Sequence, residues 1–178
     1  MTLRALMVAP HWRAAETGAG VLREGGNAIE AMVAAAATIS VVYPHMTSIG
    51  GDGFWLFHEP GAPPRAIDGA GAAGAATTAA WYRARGHAAI PVRGPHAANT
   101  IAGTVAGWAL ALEHSRFAWG GRLPLARLLG DAIDLARDGF PVAASHAHCL
   151  EARANELGSV PGFAARFLPD GRAPAAGE

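Results

Sequence analysis

LREGGNAIEAMVAAAATISVVYPHMTSIGGDGFWLF, residues 22–57, decides how this chain folds. Gly25 and Gly26 stop a first helix, because glycine readily takes the left-handed conformation at a helix end. Asn27 then caps a second helix by accepting a backbone N–H. Ile29, Met32, Val33 and Ala36 form its main stripe. Ala31, Ala34, Ala35, Ala37 and Ile39 make it apolar nearly all round, which predicts burial on most sides. Pro44 ends the helix and pushes Tyr43 out of helical geometry. A Gly-rich turn over 47–53 leads into a strand over 54–58. Both faces of that strand are apolar, so it is expected to lie between layers.

Upstream, residues 12–23 read as a helix with Ala15, Gly18, Ala19 and Leu22 on one apolar face. Downstream, a turn at 60–64 and a short strand at 66–68 predict a hairpin. Residues 69–76 are nearly all Gly and Ala, a loop that lets backbone approach a neighbour closely. Thr77 or Thr78 caps a short helix reaching Arg85, and 86–99 reads as a loop with Pro91 and Pro95. A helix over 104–117 carries Val105, Trp108, Ala109 and Leu112 on one face. The clearest helix is 125–138, with Pro124 at its start, Gly139 after its end and Pro141 beyond. Its stripe is Leu125, Leu128, Leu129, Ala132, Ile133 and Ala136. A weaker helix spans 145–157, and 158–178 reads as turns without a closing element. There is no internal repeat and no internal domain boundary.

The 178 residues are 51% hydrophobic and 16% charged, a globular balance with enough length for a real core. Fourteen basic and fourteen acidic side chains give zero formal net charge, which argues against nucleic acid or an anionic membrane as partner. The longest apolar run, 28–42, is shorter than the ~20 residues of a bilayer span and carries Glu30. Residues 1–10 hold no stretch long enough for a signal h-region, so the expected compartment is the cytoplasm. A missing upstream leader would make it the periplasm. Cys149 stands alone, excludes an intrachain disulfide and reads as a buried apolar residue.

Several residues invite chemistry. Gly50, Gly51, Asp52 and Gly53 form a Gly-rich loop, but a phosphate cradle leads into a helix N-terminus and this one leads into a strand. The loop reads as a tight turn under a layer contact, or as a loop beside an active site built by another part of the protein. His45, with Ser48 or Thr47 and Asp52, suggests a triad only by nearness in sequence, which is no evidence for one. A turn histidine with structural hydrogen bonds is the simpler reading. His146 and His148 stand two apart and point away from each other on a helix, so they do not share a metal ion. Asp131, Asp134 and Asp138 with Arg127 and Arg137 read as a solvated charged face. Trp12, Trp55, Trp81, Trp108 and Trp119 are scattered and read as packing. On the residues alone the chain is an α/β layered domain without a self-contained catalytic motif.

The run from Leu22 to Ala28, then Pro44-His45, Ile49-Gly50-Gly51-Asp52-Gly53-Phe54, the stretch 103–107, Gly121-Arg122-Leu123-Pro124, Asp138-Gly139-Phe140-Pro141-Val142 and Phe167-Leu168-Pro169-Asp170-Gly171 together resemble the gamma-glutamyltranspeptidase family. Met7-Val8-Ala9-Pro10-His11 is similar to that family's opening segment. The resemblance covers nearly the whole chain. It implies an α/β (α+β) fold: a partial αββα sandwich of N-terminal-nucleophile hydrolases, helix-rich outer layers on a short sheet. It also implies that residues 1–178 are a single incomplete domain, the N-terminal portion of the large subunit. Family members cut themselves and free an N-terminal threonine, whose hydroxyl attacks an amide with its own amine as base. Oxyanion-hole N–H donors hold the tetrahedral intermediate, and no metal or organic cofactor takes part.

Thr77, Thr78, Thr100 and Thr104 do not stand at the nucleophile's place, so the resemblance puts no catalytic residue in this chain. The expected partners are the missing C-terminal part or small subunit and a small amide or gamma-glutamyl substrate. The family's carboxylate-gripping arginine falls at Ala70, with Arg65 and Arg93 as weak substitutes. Losing that ionic partner, at about 3–5 kcal/mol for a buried carboxylate, disfavours glutathione. The stretch 23–55 resembles a branch of the superfamily that hydrolyses small amides such as oxamate. The expected function is therefore small-amide hydrolysis by a self-processing amidohydrolase. Glutathione hydrolase or gamma-glutamyltransferase proper, and a non-catalytic binding fragment, are the alternatives.

Overall fold

The computed structural model describes residues 5–178, so part of the segment read for a leader, residues 1–4, lies outside the described residues. Seven α-helices and a two-stranded sheet occur among the described residues, in a mixed α/β arrangement. Helix α1 is Trp12–Arg23 and α2 is Ala28–Val42; strands β1, Gly53–Phe57, and β2, Arg65–Gly69, follow. Then come α3 (Ala79–Arg83), α4 (Thr104–Ala118), α5 (Leu125–Asp138), α6 (Ala144–Leu157) and α7 (Phe163–Phe167), with a single 3-10 turn at Pro169–Gly171.

Helix α2 is the centre of the molecule, packed by α1, α4 and α5. Nine of its fifteen residues are buried, as its all-round apolar sequence predicts. The stripe itself is corrected: Met32 is 44% exposed, while Ala34, Ala35, Ala37 and Thr38 are buried. In α1 the buried face is Ala14, Thr17, Gly18 and Val21, one residue off the Ala15–Leu22 face read from the sequence. With alanine and glycine on both of the adjacent faces, periodicity does not distinguish them.

The start of α2 is a two-sided lock. The Asn27 side chain accepts from the N–H groups of Ile29 and Glu30, both at 3.1 Å, and the Glu30 carboxylate accepts from the Asn27 N–H at 2.8 Å. This reciprocal capping box is the N-x-x-E signature of a helix start. The second Glu30 oxygen accepts from the Arg122 and Leu123 N–H groups at 2.7 Å each. Asn27 Nδ2 donates to Ser115 Oγ at 2.7 Å. Gly25 has φ +87°, and a methyl at Gly26 would sit 2.6 Å from Val21 and 2.8 Å from Leu123. Two segments that carry the family resemblance, 22–28 and 121–124, thus meet here.

Strands β1 and β2 form the expected hairpin, antiparallel with Gly53 opposite Gly69 and Phe57 opposite Arg65. The inner face, with Trp55, Phe57 and Ile67, packs against the core. The outer face is open: Phe54 is 70% and Leu56 78% exposed. Within the described residues the strand is covered on one side. The apolar stripes of α4 and α5 are only partly covered: Trp108, Leu112, Leu128 and Ala132 are buried. Val105, Trp108, Ala109 and Leu112 face Leu125, Leu129 and Ile133 across an open apolar groove of about 370 Å³. Val105 and Ile133 remain half exposed there.

Helix α7 lies where turns alone were expected. Phe163 and Phe167, one turn apart, bring their rings to 5.2 Å, a pair four residues apart that supports a short helix. The charged face of α5 is solvated as read: Arg127 bridges Glu24 at 2.5 Å and Asp131 at 3.4 Å, and Arg137 bridges Asp134 at 2.6 Å. Of the tryptophans, Trp108 is core, whereas Trp12 is 59% exposed beneath the Arg13 guanidinium, which corrects its reading as packing.

Candidate functional site

Three glycine-bearing segments, 50–53, 68–74 and 99–104, converge at one end of the hairpin. The Gly51 carbonyl accepts from the Gly103 and Thr104 N–H groups, both at 3.0 Å, and from Thr104 Oγ1 at 2.8 Å. The Ala72 carbonyl accepts from the Ile101 N–H at 3.0 Å, and Ala73 forms a bridge with Thr100. A methyl placed on Gly69 would meet the Gly53 carbonyl, one on Gly71 the Ile101 carbonyl, and one on Gly103 the Gly69 carbonyl. Glycine is required because backbone passes directly against backbone. The Gly-rich loop is thus a turn tied by hydrogen bonds to Gly103 and Thr104.

Two carboxylates order the rim of this junction. Asp52 Oδ1 accepts from the Gly71 N–H at 3.2 Å, and Asp68 Oδ1 accepts from the Ala70 N–H at 2.9 Å. The second bond is a local aspartate turn. Both carboxylates and Ala70 are exposed. These N–H groups are engaged by carboxylates and are not free to act as an oxyanion hole.

The strand register sets Arg65 opposite Phe57, at the far end of the hairpin from Gly69, where its Nη1 lies 3.5 Å from His114 Nδ1. Arg93 pairs with Glu156 at 2.8 Å, beside α6. Thr78 caps α3 by accepting from the Trp81 N–H at 3.1 Å. With Thr104 donating to Gly51, these two hydroxyls serve structure.

His45 belongs to a different cluster. Its ring stacks on His146 with centroids 5.2 Å apart and planes within 3°, and lies 4.2 Å from Tyr43. Its Nδ1 is buried without a hydrogen-bond partner, which corrects the expectation of a hydrogen-bonded turn histidine. Ser48 Oγ instead accepts from the Gly50 N–H at 3.2 Å, so Ser48, His45 and Asp52 form no relay. His146 is buried and His148 exposed, on different sides of α6, as their spacing requires. Cys149 is half-buried beside His146 rather than enclosed in the core. Among the described residues, no three His, Cys, Asp or Glu side chains are grouped to hold a metal ion. No described helix is long and apolar enough to cross a membrane.

Burial holds the His45 and His146 imidazoles below their ordinary pKa, and the neighbouring His45 lowers His146 further. Below about pH 6.5 the unfolded chain binds these protons and the folded one resists them. Stability from this pair is complete above that value and falls as pH drops through the lowered native pKa values. The expected result is a lower thermal midpoint at pH 5 than at pH 7.5, with a shallower decline in His146→Phe. A midpoint independent of pH over this window would remove the argument.

One family model matches most of the chain that carries this junction, the capped α2 and the hairpin. The profile described as Gamma-glutamyltranspeptidase matches residues 14–178, and the chain belongs to that family. It is 54% identical over 172 residues to the oxamate amidohydrolase proenzyme of Klebsiella pneumoniae, covering 97% of this chain and 32% of that protein. It is 41% identical over 174 residues to the glutathione hydrolase-like YwrD proenzyme of Bacillus subtilis, again over 97% of this chain and 32% of the relative. The gamma-glutamyltranspeptidase structure of Helicobacter pylori superposes with a TM-score of 0.88 at 28% identity, over all of this chain and half of that one. The chain thus spans about a third of the length of the curated relatives it matches.

The glycine loop is legible in the sequence, but its partners and the reciprocal role of Glu30 emerge only in the fold. The spacing Asn27-x-x-Glu30 was the available signal for the latter. The stacked histidines had none, since they lie about a hundred residues apart.

Proposed function

We propose that this chain is the amino-terminal part of a self-processing amidohydrolase that cleaves small amides of the oxamate kind. The observation that carries this reading is the 54% identity to an oxamate amidohydrolase proenzyme along 97% of the chain. An N-terminal threonine outside this chain attacks the amide carbonyl, with its own α-amine taking the proton. Ammonia leaves from the tetrahedral intermediate, and water then releases the acid from the acyl-enzyme. The role of residues 5–178 is to hold the sheet and its glycine junction. The open outer face of β1 and the groove between α4 and α5 are surfaces for the remainder of the proenzyme, because apolar areas of this kind mark contacts. Ala70 supports the small substrate, since the gamma-glutamyl carboxylate would lack its guanidinium there.

The test uses the complete gene product. Self-cleavage into two chains is expected, with oxamate hydrolysed to oxalate and ammonia and glutathione a poor substrate. Ala70→Arg is expected to raise glutathione kcat/KM relative to oxamate by roughly tenfold, about 1.4 kcal/mol of recovered ion-pair binding. Rapid glutathione hydrolysis without oxamate turnover would overturn the small-amide reading. It would favour the second one, a glutathione hydrolase, which the 41% identity to a glutathione hydrolase-like proenzyme supports.

A further inference from the structure

A cavity of about 390 Å³ lies between the end of α2, α6 and α7. Its polar side is unusual. His146 is only 5% exposed, yet neither of its ring nitrogens has a hydrogen-bond partner, and Nδ1 of the stacked His45 has none. A neutral imidazole always carries one N–H donor, so a buried one with no acceptor is left with an uncompensated loss of solvation. Unsatisfied buried polar groups are rare in native proteins, and a group that supplies an acceptor removes the cost.

The rest of the cavity specifies that group. Arg93 Nη1 and Arg153 Nη1 bond the two oxygens of one carboxylate, Glu156, at 2.8 and 3.0 Å. Two guanidiniums against one carboxylate leave a net positive charge at the rim. Leu150, Leu157, Phe163 and Phe167 supply apolar wall. A metal ion does not suit the site. The imidazole planes are parallel to within 3°, so their in-plane lone pairs run side by side rather than converging, and among the described residues lining the cavity Cys149 is the one soft ligand.

We infer that this cavity binds a small organic monocarboxylate, its carboxylate accepting from the buried imidazole and its apolar body lying against the α6 and α7 side chains. The size suits such a ligand, and a few placed polar groups in an apolar pocket are how such ligands are oriented. The single excess positive charge matches one carboxylate.

Benzoate is the probe, with benzamide as its neutral counterpart, on the complete gene product. Calorimetry gives affinity, and ¹⁵N-histidine spectra report the imidazoles. Saturable benzoate binding is expected, with shifts of the His45 and His146 ring nitrogens and at least tenfold weaker benzamide binding. His146→Phe preserves the ring's bulk and is expected to weaken benzoate at least tenfold. Arg153→Met, at the exposed rim, gives the same direction and decides the matter if the histidine variant does not fold. No saturation below about 10 mM, equal affinity for benzamide, or unchanged affinity in the folded variants would overturn the inference. These readouts are independent of oxamate or glutathione turnover.

Discussion

Glu30→Ala is expected to lower the free energy of unfolding by about 3–4 kcal/mol. Glu30 is 2% exposed, and its two oxygens receive three backbone N–H groups, from Asn27, Arg122 and Leu123, at 2.7–2.8 Å. Truncation leaves all three donors without their acceptor, and each such loss costs about 1–3 kcal/mol when the group stays buried. Water entering the vacated space recovers part of the sum, which sets the estimate below the additive value. Glu30→Gln retains one acceptor oxygen but turns a donor toward an N–H, so an intermediate loss is expected. Glu16→Ala is the control. Its pair with Arg13 is 3.6 Å long and solvent-exposed, and removing such a pair changes stability by no more than about 0.5 kcal/mol. Denaturant unfolding checks all three. A Glu30→Ala midpoint equal to that of Glu16→Ala would show that the lock between α2 and the 121–124 turn contributes little.

The asymmetry between these two glutamates also explains what the sequence could and could not reveal. The limits of α1, α2 and α5 are legible because glycine, proline and asparagine punctuate them. The hairpin is legible from the turn residues between its strands. The buried faces are less so, since α2 is apolar nearly all round and leaves no periodic contrast, and Met32 is exposed where a stripe would bury it. The apolar stripes of α4 and α5 were read correctly as apolar but not as facing an open groove. Periodicity reports which face avoids water, not which partner covers it. Long-range polar contacts were invisible for a simpler reason. Glu30 with Arg122, and His45 with His146, are about ninety to a hundred residues apart, and no local pattern encodes such a meeting.

The glycine junction should be the most intolerant backbone in the chain. Gly71→Ala and Gly103→Ala are each expected to cost more than about 3 kcal/mol or to abolish folding. The obstacle is space, not backbone angle, since neither residue has a positive φ. A Gly71 methyl would occupy the place of the Ile101 carbonyl, and a Gly103 methyl that of the Gly69 carbonyl. A flexible side chain could swing away from an added methyl, but a carbonyl fixed in a hydrogen-bonded segment moves only with its strand. Gly130→Ala provides the opposite sign. No atom lies within 4 Å of a methyl there, in the interior of α5, so alanine should stabilise by about 0.5–1 kcal/mol. Chemical denaturation of the three variants separates space from glycine content. If Gly71→Ala and Gly103→Ala unfold at the parent midpoint, segments 68–74 and 99–104 are not held in backbone contact. The loop carrying Asp68 and Ala70 would then lack the rigid support on which its place at the rim depends.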